Sequence, residues 1–355
     1  MKNFEIDKYL IKNSQTIFQA IEKINNFSHG HTLVLFVVDE CNKIIGSISD
    51  GDIRRAILKG CNINGNVADA MNPNYCFVEK EDINNVEIIK KFRLEDIRIL
   101  PIINDQKNIV EIINFSHTKT QLPIDAIIMA GGRGTRLHPY TKDLPKPMLE
   151  LNKKPIIAHN IDRLIYFGVK NFYVSVNHLK DQIINFLNDY YRNKNIKINF
   201  LEEDKPLGTI GSVALQKKYL HDDLLVLNAD ILTNIDFEDF FLSYKKNQSD
   251  MAVGAFNIKI DIPYAVMKTK GEIIKSFVEK PSYIYHSNAG IYLFKQKFIK
   301  KIPSNQPFDS IDLIDDLIKN ENIVSHFPIR GYWLDIGNLQ NYRKAQEDIE
   351  HIKFD

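Results

Sequence analysis

Apolar positions follow two periods along this chain. Ile21, Ile24 and Phe27 fall at i, i+3 and i+6, the spacing of one helical face, and recur 65 residues on as Val86, Ile89 and Phe92. The same offset carries VVDECNKII at 37–45 onto IINDQKNIV at 102–110. Each copy therefore predicts an amphipathic helix, a short strand, a turn, a second strand and a closing helix. Two copies are too few for a solenoid, so they should pack on each other as one α+β module over 1–120.

After SHTKTQLP at 116–123, a polar linker, the pattern changes. IDAIIMA at 124–130 is a buried-strand run followed by a glycine cluster. Helical and strand segments then alternate: IIAHNIDRLIYFGV, NFYVSV, DQIINFLNDYY, IKINFL and DDLLVLNAD. That order predicts an α/β domain over 124–355, with a doubly wound, mostly parallel sheet.

At 355 residues and a net charge of +1, the chain has room for both units and no broad basic field for nucleic acid. MKNFEIDKYL lacks the apolar run of a leader, and LVLFVV at 33–38 is too short to cross a bilayer. A cytoplasmic protein without a membrane partner is expected. Cys41, Cys61 and Cys76 have no CxxC spacing and read as reduced and structural. His29, His31 and His117 carry no metal-ligand arithmetic.

GSISDGDIRRAI at 46–57 resembles the end of a CBS motif, and the repeat resembles a CBS tandem. The resemblance implies that Ser49 and Asp52 hold the phosphate and ribose of an adenine nucleotide. Read from the residues alone, the two can equally be caps of a helix beginning near Ile53. In the second copy Glu111, Asn114 and His117 stand where Gly46, Ser49 and Asp52 stand in the first, so at most one ligand site is expected. The tandem is also expected to serve as a dimerisation surface of a homo-oligomer.

The glycine cluster lacks the Gly-Lys-Ser/Thr of a Walker loop and the third glycine of a dinucleotide fingerprint. MAGGRGTRLHPYTKDLPKPML at 129–149 instead resembles the signature of sugar-1-phosphate nucleotidyltransferases, and the resemblance runs to the C-terminus. Gly131, Gly132, Gly134 and Thr135 would bring backbone N–H groups to a triphosphate. Arg136 offers a planar fork to the leaving pyrophosphate, and Lys146, stiffened between two prolines, a compact ammonium to phosphate.

The same resemblance sets EEDKPLGTIGS at 202–212 against the base. Gly208 and Gly211 would allow close backbone approach, and Glu203 could accept from N1–H and N2–H₂ of guanine. Glu202, Glu203 and Asp204 could also be an acidic surface turn. Asp230, ending the LLVLNAD strand, and Asp335, in GYWLDIGN at 331–338, suit Mg²⁺, which takes few protein ligands. Glu279 and Lys280 of FVEKP and Asn288 of NAGIY would bind the sugar phosphate, while Ala265 stands where many relatives carry glycine.

Together these readings imply in-line attack by a sugar 1-phosphate on the α-phosphorus of an NTP, GTP by the Glu203 argument, with release of pyrophosphate. A CBS tandem joined to this transferase resembles bacterial enzymes that make GDP-glucosamine for legionaminic acid. Mannose 1-phosphate is the alternative sugar, and a non-catalytic nucleotide sensor is the rival from another class.

Overall fold

The computed structural model describes residues 4–27 and 33–352, so His29 and His31 lie outside the described residues. The chain divides into two compact units: one runs through Leu122 and takes in Tyr166–Gly168, the other begins at Pro123.

In the first unit α1 (Phe4–Asp7) precedes β1 (Leu10–Lys12), α2 (Ile17–Asn25), β2 (Val34–Val38), β3 (Ile44–Ser49) and α3 (Asp50–Leu58). The second copy is β4 (Val78–Glu79), α4 (Val86–Leu94), β5 (Ile99–Ile103) and β6 (Ile109–Asn114). Each copy forms its own three-stranded sheet, in the orders β1-β2-β3 and β4-β5-β6. The copies meet at equivalent positions, because Lys43 bridges Asn108, its counterpart 65 residues on. Tyr9, Phe36, Val38, Ile44, Ile99 and Ile103 form the buried seam around that point.

The offset of 65 holds for both strand pairs but fails for the helices. Thr16 caps α2 and Asn85 caps α4, so Val86 matches Ile17 and Ile89 matches Ala20, not Ile21 and Ile24. The slip is four residues, about one helical turn, which leaves the apolar face in place and hides the shorter loop after α4. The closing helix of the second copy is absent. Beyond β6 the chain turns, with Ser116 N–H donating to Asn114 Oδ1 (2.9 Å), and Pro123 follows within ten residues. In the first copy α3 starts at Asp50, three residues before Ile53, because Ser49 is its N-cap.

The second unit opens with β7 (Ile124–Met129), the short pair β8 (Glu150–Leu151) and β9 (Lys154–Pro155), and α5 (Ile156–Tyr166). Then come β10 (Asn171–Val176), α6 (Lys180–Tyr190), β11 (Lys197–Glu202), β12 (Asp223–Asn228), β13 (Ile231–Thr233) and α7 (Phe237–Lys246). β14 (Met251–Asp261), β15 (Val266–Lys270), β16 (Ile273–Val278), β17 (Ser282–Lys295), α8 (Ser310–Lys319), β18 (Val324–Pro328), β19 (Trp333–Asp335) and α9 (Leu339–Asp348) complete it.

Seven strands form the central sheet in the order β11-β10-β7-β12-β17-β14-β18. Pairing is parallel except where β17 lies against β12 and β14. From β7 the chain steps outward through β10 and β11, then returns to place β12 on the other flank of β7. The order reverses between β7 and β12, and in open α/β sheets the ligand crevice lies beyond the C-terminal ends of the strands at such a point.

Candidate active site

Both strands at the reversal end in the predicted chemistry. Beyond β7, Ala130 N–H still donates to the Ser175 carbonyl (2.9 Å), and the chain then leaves the sheet through the glycines. Gly134 adopts φ +63°, in the left-handed region, and an added Cβ would stand 2.9 Å from Lys146 Cβ. The loop thus needs glycine there for two reasons: its backbone sign and the lysine stem packed on it. Thr141 Oγ1 donates to the Gly134 carbonyl (2.8 Å). At Gly132, exposed, an added Cβ would meet nothing within 4 Å.

Lys146 lies in a short 3-10 turn between Pro145 and Pro147 and is buried; its ammonium donates to the Asp230 carboxylate. Asp230 follows β12, and β13 then pairs antiparallel with β19, setting Ile231 opposite Asp335. Ile336 N–H donates to the Asp230 carbonyl (3.0 Å), which ties the two acid-bearing segments together. Burial holds the Asp335 carboxyl above the usual range, the Asp230 charge adds to that, and Lys146 and Arg136 act against it. Four of the predicted groups therefore share one electrostatic neighbourhood: Arg136, Lys146, Asp230 and Asp335.

Asp335 Oδ1 is buried and has no hydrogen-bond partner. A buried carboxylate oxygen left without a donor is costly, and a divalent cation held by Asp230 and Asp335 would satisfy it. Among the described residues no group of three or more His, Cys, Asp or Glu could hold a metal. Two carboxylates suit a hard cation, which would take its remaining oxygens from phosphate and water.

Glu203 lies just beyond β11, beside the loop: a Cβ on Gly131 would stand 3.0 Å from its Oε1. Ser175 Oγ donates to the same oxygen and Leu207 N–H donates to Oε2 (3.0 Å). Glu203 is therefore anchored in the fold, with one donor on each oxygen. Gly208 has φ +79°, and an added Cβ would fall 2.7 Å from the Phe308 carbonyl oxygen, so packing on the 308–309 segment already requires glycine. Thr135 and Arg136 are exposed at the 3-10 turn after Gly134.

Among the described residues, those expected to bind the sugar phosphate make no ion pair or hydrogen bond with Asp230 or Asp335. Asn288, in β17, turns its Oδ1 onto Gly290 N–H (2.9 Å). Glu279 and Lys280 are exposed between β16 and β17, with Lys280 at φ +41°, and Ala265 is exposed before β15. In the first unit Ser49 and Asp52 form a capping box. Ser49 Oγ donates to Asp52 Oδ2 (2.6 Å), and Arg55 pairs with Asp52 Oδ1 (2.7 Å). Burial raises the Asp52 carboxyl, but the hydrogen bonds from Ser49 and Arg55 together hold it below the usual range.

Three positioning residues escaped the sequence reading. Asn160, buried in α5, donates from Nδ2 to the Ala229 carbonyl (3.3 Å) and so fixes the residue before Asp230. Gly290, at φ +70°, lets β17 cross Asn228, whose Nδ2 would stand 2.6 Å from an added Cβ. Phe256 stacks on Trp333 (centroids 3.8 Å, planes 12° apart), and Trp333 Nε1 donates to the Ala289 carbonyl (2.9 Å), which steadies the strand carrying Asp335. A polar residue inside the apolar run of α5 was the one legible signal.

The CBS domain family matches residues 7–59, the first copy of the repeat. Over 225 residues the chain is 30% identical to the mannose-1-phosphate guanyltransferase of Schizosaccharomyces pombe, covering 61% of this chain and 62% of that one. Over 223 residues it is 32% identical to the enzyme of the same name from Yarrowia lipolytica, covering 61% of each. The chain thus spans less than two thirds of the length of these relatives. The crystal structure of HddC from Yersinia pseudotuberculosis superposes with a TM-score of 0.50 at 29% identity, covering 64% of this chain and 99% of that one. With the nucleotidyl transferase family matching residues 125–352, the larger part of its length, this chain belongs to that family.

Proposed function

We propose that this chain transfers GMP from GTP to a sugar 1-phosphate and releases pyrophosphate. The observation that carries the reading is the cluster of Arg136, Lys146, Asp230 and Asp335 at the sheet reversal, with a buried Asp335 oxygen that lacks a partner. Mg²⁺ held by Asp230 and Asp335 would neutralise phosphate charge. Lys146 and Arg136 would supply fixed cations where charge develops, and the glycine loop backbone would donate to the triphosphate. No general base is needed, because a phosphate monoester with its second pKa near ~6 is already mostly ionised at neutral pH.

Guanine is favoured by Glu203, whose two oxygens each accept one internal bond and keep a lone pair for N1–H and N2–H₂. Glu279, Lys280 and Asn288 would bind the sugar phosphate. The CBS repeat fused to the transferase favours glucosamine 1-phosphate, as in enzymes of legionaminic-acid synthesis. A second reading, mannose 1-phosphate, is favoured by the names of the relatives. An adenine nucleotide at Ser49 and Asp52 would make the first unit regulatory; it would displace Arg55 from Asp52.

A pyrophosphate-release screen of five NTPs against glucosamine, mannose and glucose 1-phosphates tests the reading. Release is expected with GTP and glucosamine 1-phosphate. A preference for UTP or dTTP would refute the role of Glu203, a preference for mannose 1-phosphate would select the second sugar, and silence with every pair would favour the non-catalytic sensor.

A further inference from the structure

At the opposite end of β12 from Asp230, the second unit carries a solvent-open cavity of about 850 Å³. Lys217, Lys218, Lys245, Lys295, Lys297 and Lys300 line it, against only Asp222 and Asp223. The whole chain carries a net charge of +1, so this excess is local and not a reflection of basic composition. Lysines gathered around one concavity repel each other and focus a positive potential into it.

The pairing of these charges leaves several ammonium groups available. Lys245 pairs with buried Asp223, which also accepts from Tyr244 OH (2.7 Å). Lys295 (2.8 Å) and Lys297 (3.3 Å) share Asp250, whose carboxyl is raised by burial but held below the usual range overall by those two lysines and Ile323 N–H. Among the described residues Lys217, Lys218 and Lys300 have no carboxylate partner, and Asp222 has no cationic one. Ala214 and the edges of Ile299 and Ile302, which are otherwise buried in the core, supply a narrow apolar side to the same cavity.

We propose that this cavity is a second anion site of the chain, built for a small molecule bearing a di- or triphosphate. Lys217, Lys218 and Lys300 would meet the phosphates as point charges, and the remainder of the ligand would lie on Ala214, Ile299 and Ile302. The volume is in the range that encloses a small molecule, about 300–1,000 Å³. β12 alone separates the site from the carboxylate pair by about 17 Å, at ~3.3 Å per residue, so one ligand cannot fill both. The proposal does not rest on the transferase reading.

Calorimetric titration of the full chain with inorganic tripolyphosphate in EDTA is the test, with two variants alongside. The triple variant Lys217→Gln, Lys218→Gln, Lys300→Gln is expected to bind at least tenfold more weakly, with an unchanged melting temperature. Lys146→Met, which alters the catalytic end, is expected to bind as the wild type does. No binding to the wild type, equal binding to the triple variant, or loss on Lys146→Met in its place would overturn the proposal.

Discussion

The Lys146 ammonium reaches across from the loop after β7 to the Asp230 carboxylate at the end of β12. Two segments that flank the sheet reversal are thereby held by one ion pair, of which the lysine end is buried. Removing the cation strands its half-buried partner beside Asp335, and two neighbouring carboxylates without a counter-charge are costly. Lys146→Met should lower pyrophosphate release by about 100-fold or more, the usual scale for losing one fixed charge aimed at a transition state. Single-turnover rates measured beside thermal melts would check it; a loss under tenfold in a folded variant would remove Lys146 from the machinery.

Asp335 carries an opposite expectation for stability. Its Oδ1 is buried without a donor, and its carboxyl is disfavoured in ionised form by burial and by Asp230. In EDTA, Asp335→Asn should melt at the wild-type temperature or above it, while its turnover in MgCl₂ is lost. Adding MgCl₂ should raise the wild-type melting temperature and leave that of the variant unmoved. A cation-dependent rise of equal size in both proteins would place the cation elsewhere.

Two glycines of one loop should respond differently to alanine. Gly134→Ala meets a positive φ and the Lys146 stem, so it should both destabilise the second unit and cost turnover. Gly132→Ala meets nothing within 4 Å, so the melt should stay put and any loss of activity reports the approach of the triphosphate itself. Equal melting shifts for the two variants would contradict the loop geometry.

Asp52 should make the first unit acid-sensitive. Its folded-state pKa lies below the ordinary 3.8, so the unfolded state binds more protons across that interval. The stabilisation is fully present above 3.8 and is lost as pH falls through the depressed value. Asp52→Asn should remove this acid-side slope, and Asp52→Ala should cost about 1 kcal/mol at neutral pH through loss of the bond it accepts from Ser49 N–H in the capping box. Denaturant melts from pH 2 to 7 would check both, and titration with AMP would ask in addition whether a nucleotide uses the same carboxylate.

Much of this arrangement was legible because its signals are local. A glycine run after an apolar strand, a carboxylate ending another, and prolines around a lysine are each read within a few residues, and these account for Gly134, Lys146 and Asp230. The helix register of the repeat was misread because a four-residue slip preserves an apolar helical face, and only the caps Thr16 and Asn85 reveal it. Glu203 was visible as an acid in a motif, but its anchoring by Ser175 and Leu207 N–H was not, since those partners come from a neighbouring strand and from the turn beyond it. Asn160 and Gly290 act through contacts about seventy residues away or across the sheet, where no sequence spacing points.

The ladder of β13 with β19 has a consequence for how the protein is made. Thr233 and Tyr332, which are hydrogen-bonded beside it, lie 99 residues apart. During ribosomal synthesis the first carboxylate is therefore exposed to solvent well before the second has been polymerised, and long-separation contacts of this kind form late. The nascent chain should pair the six strands of its sheet made by Lys295 before the two carboxylates can be brought together, and their meeting waits for the closing strand.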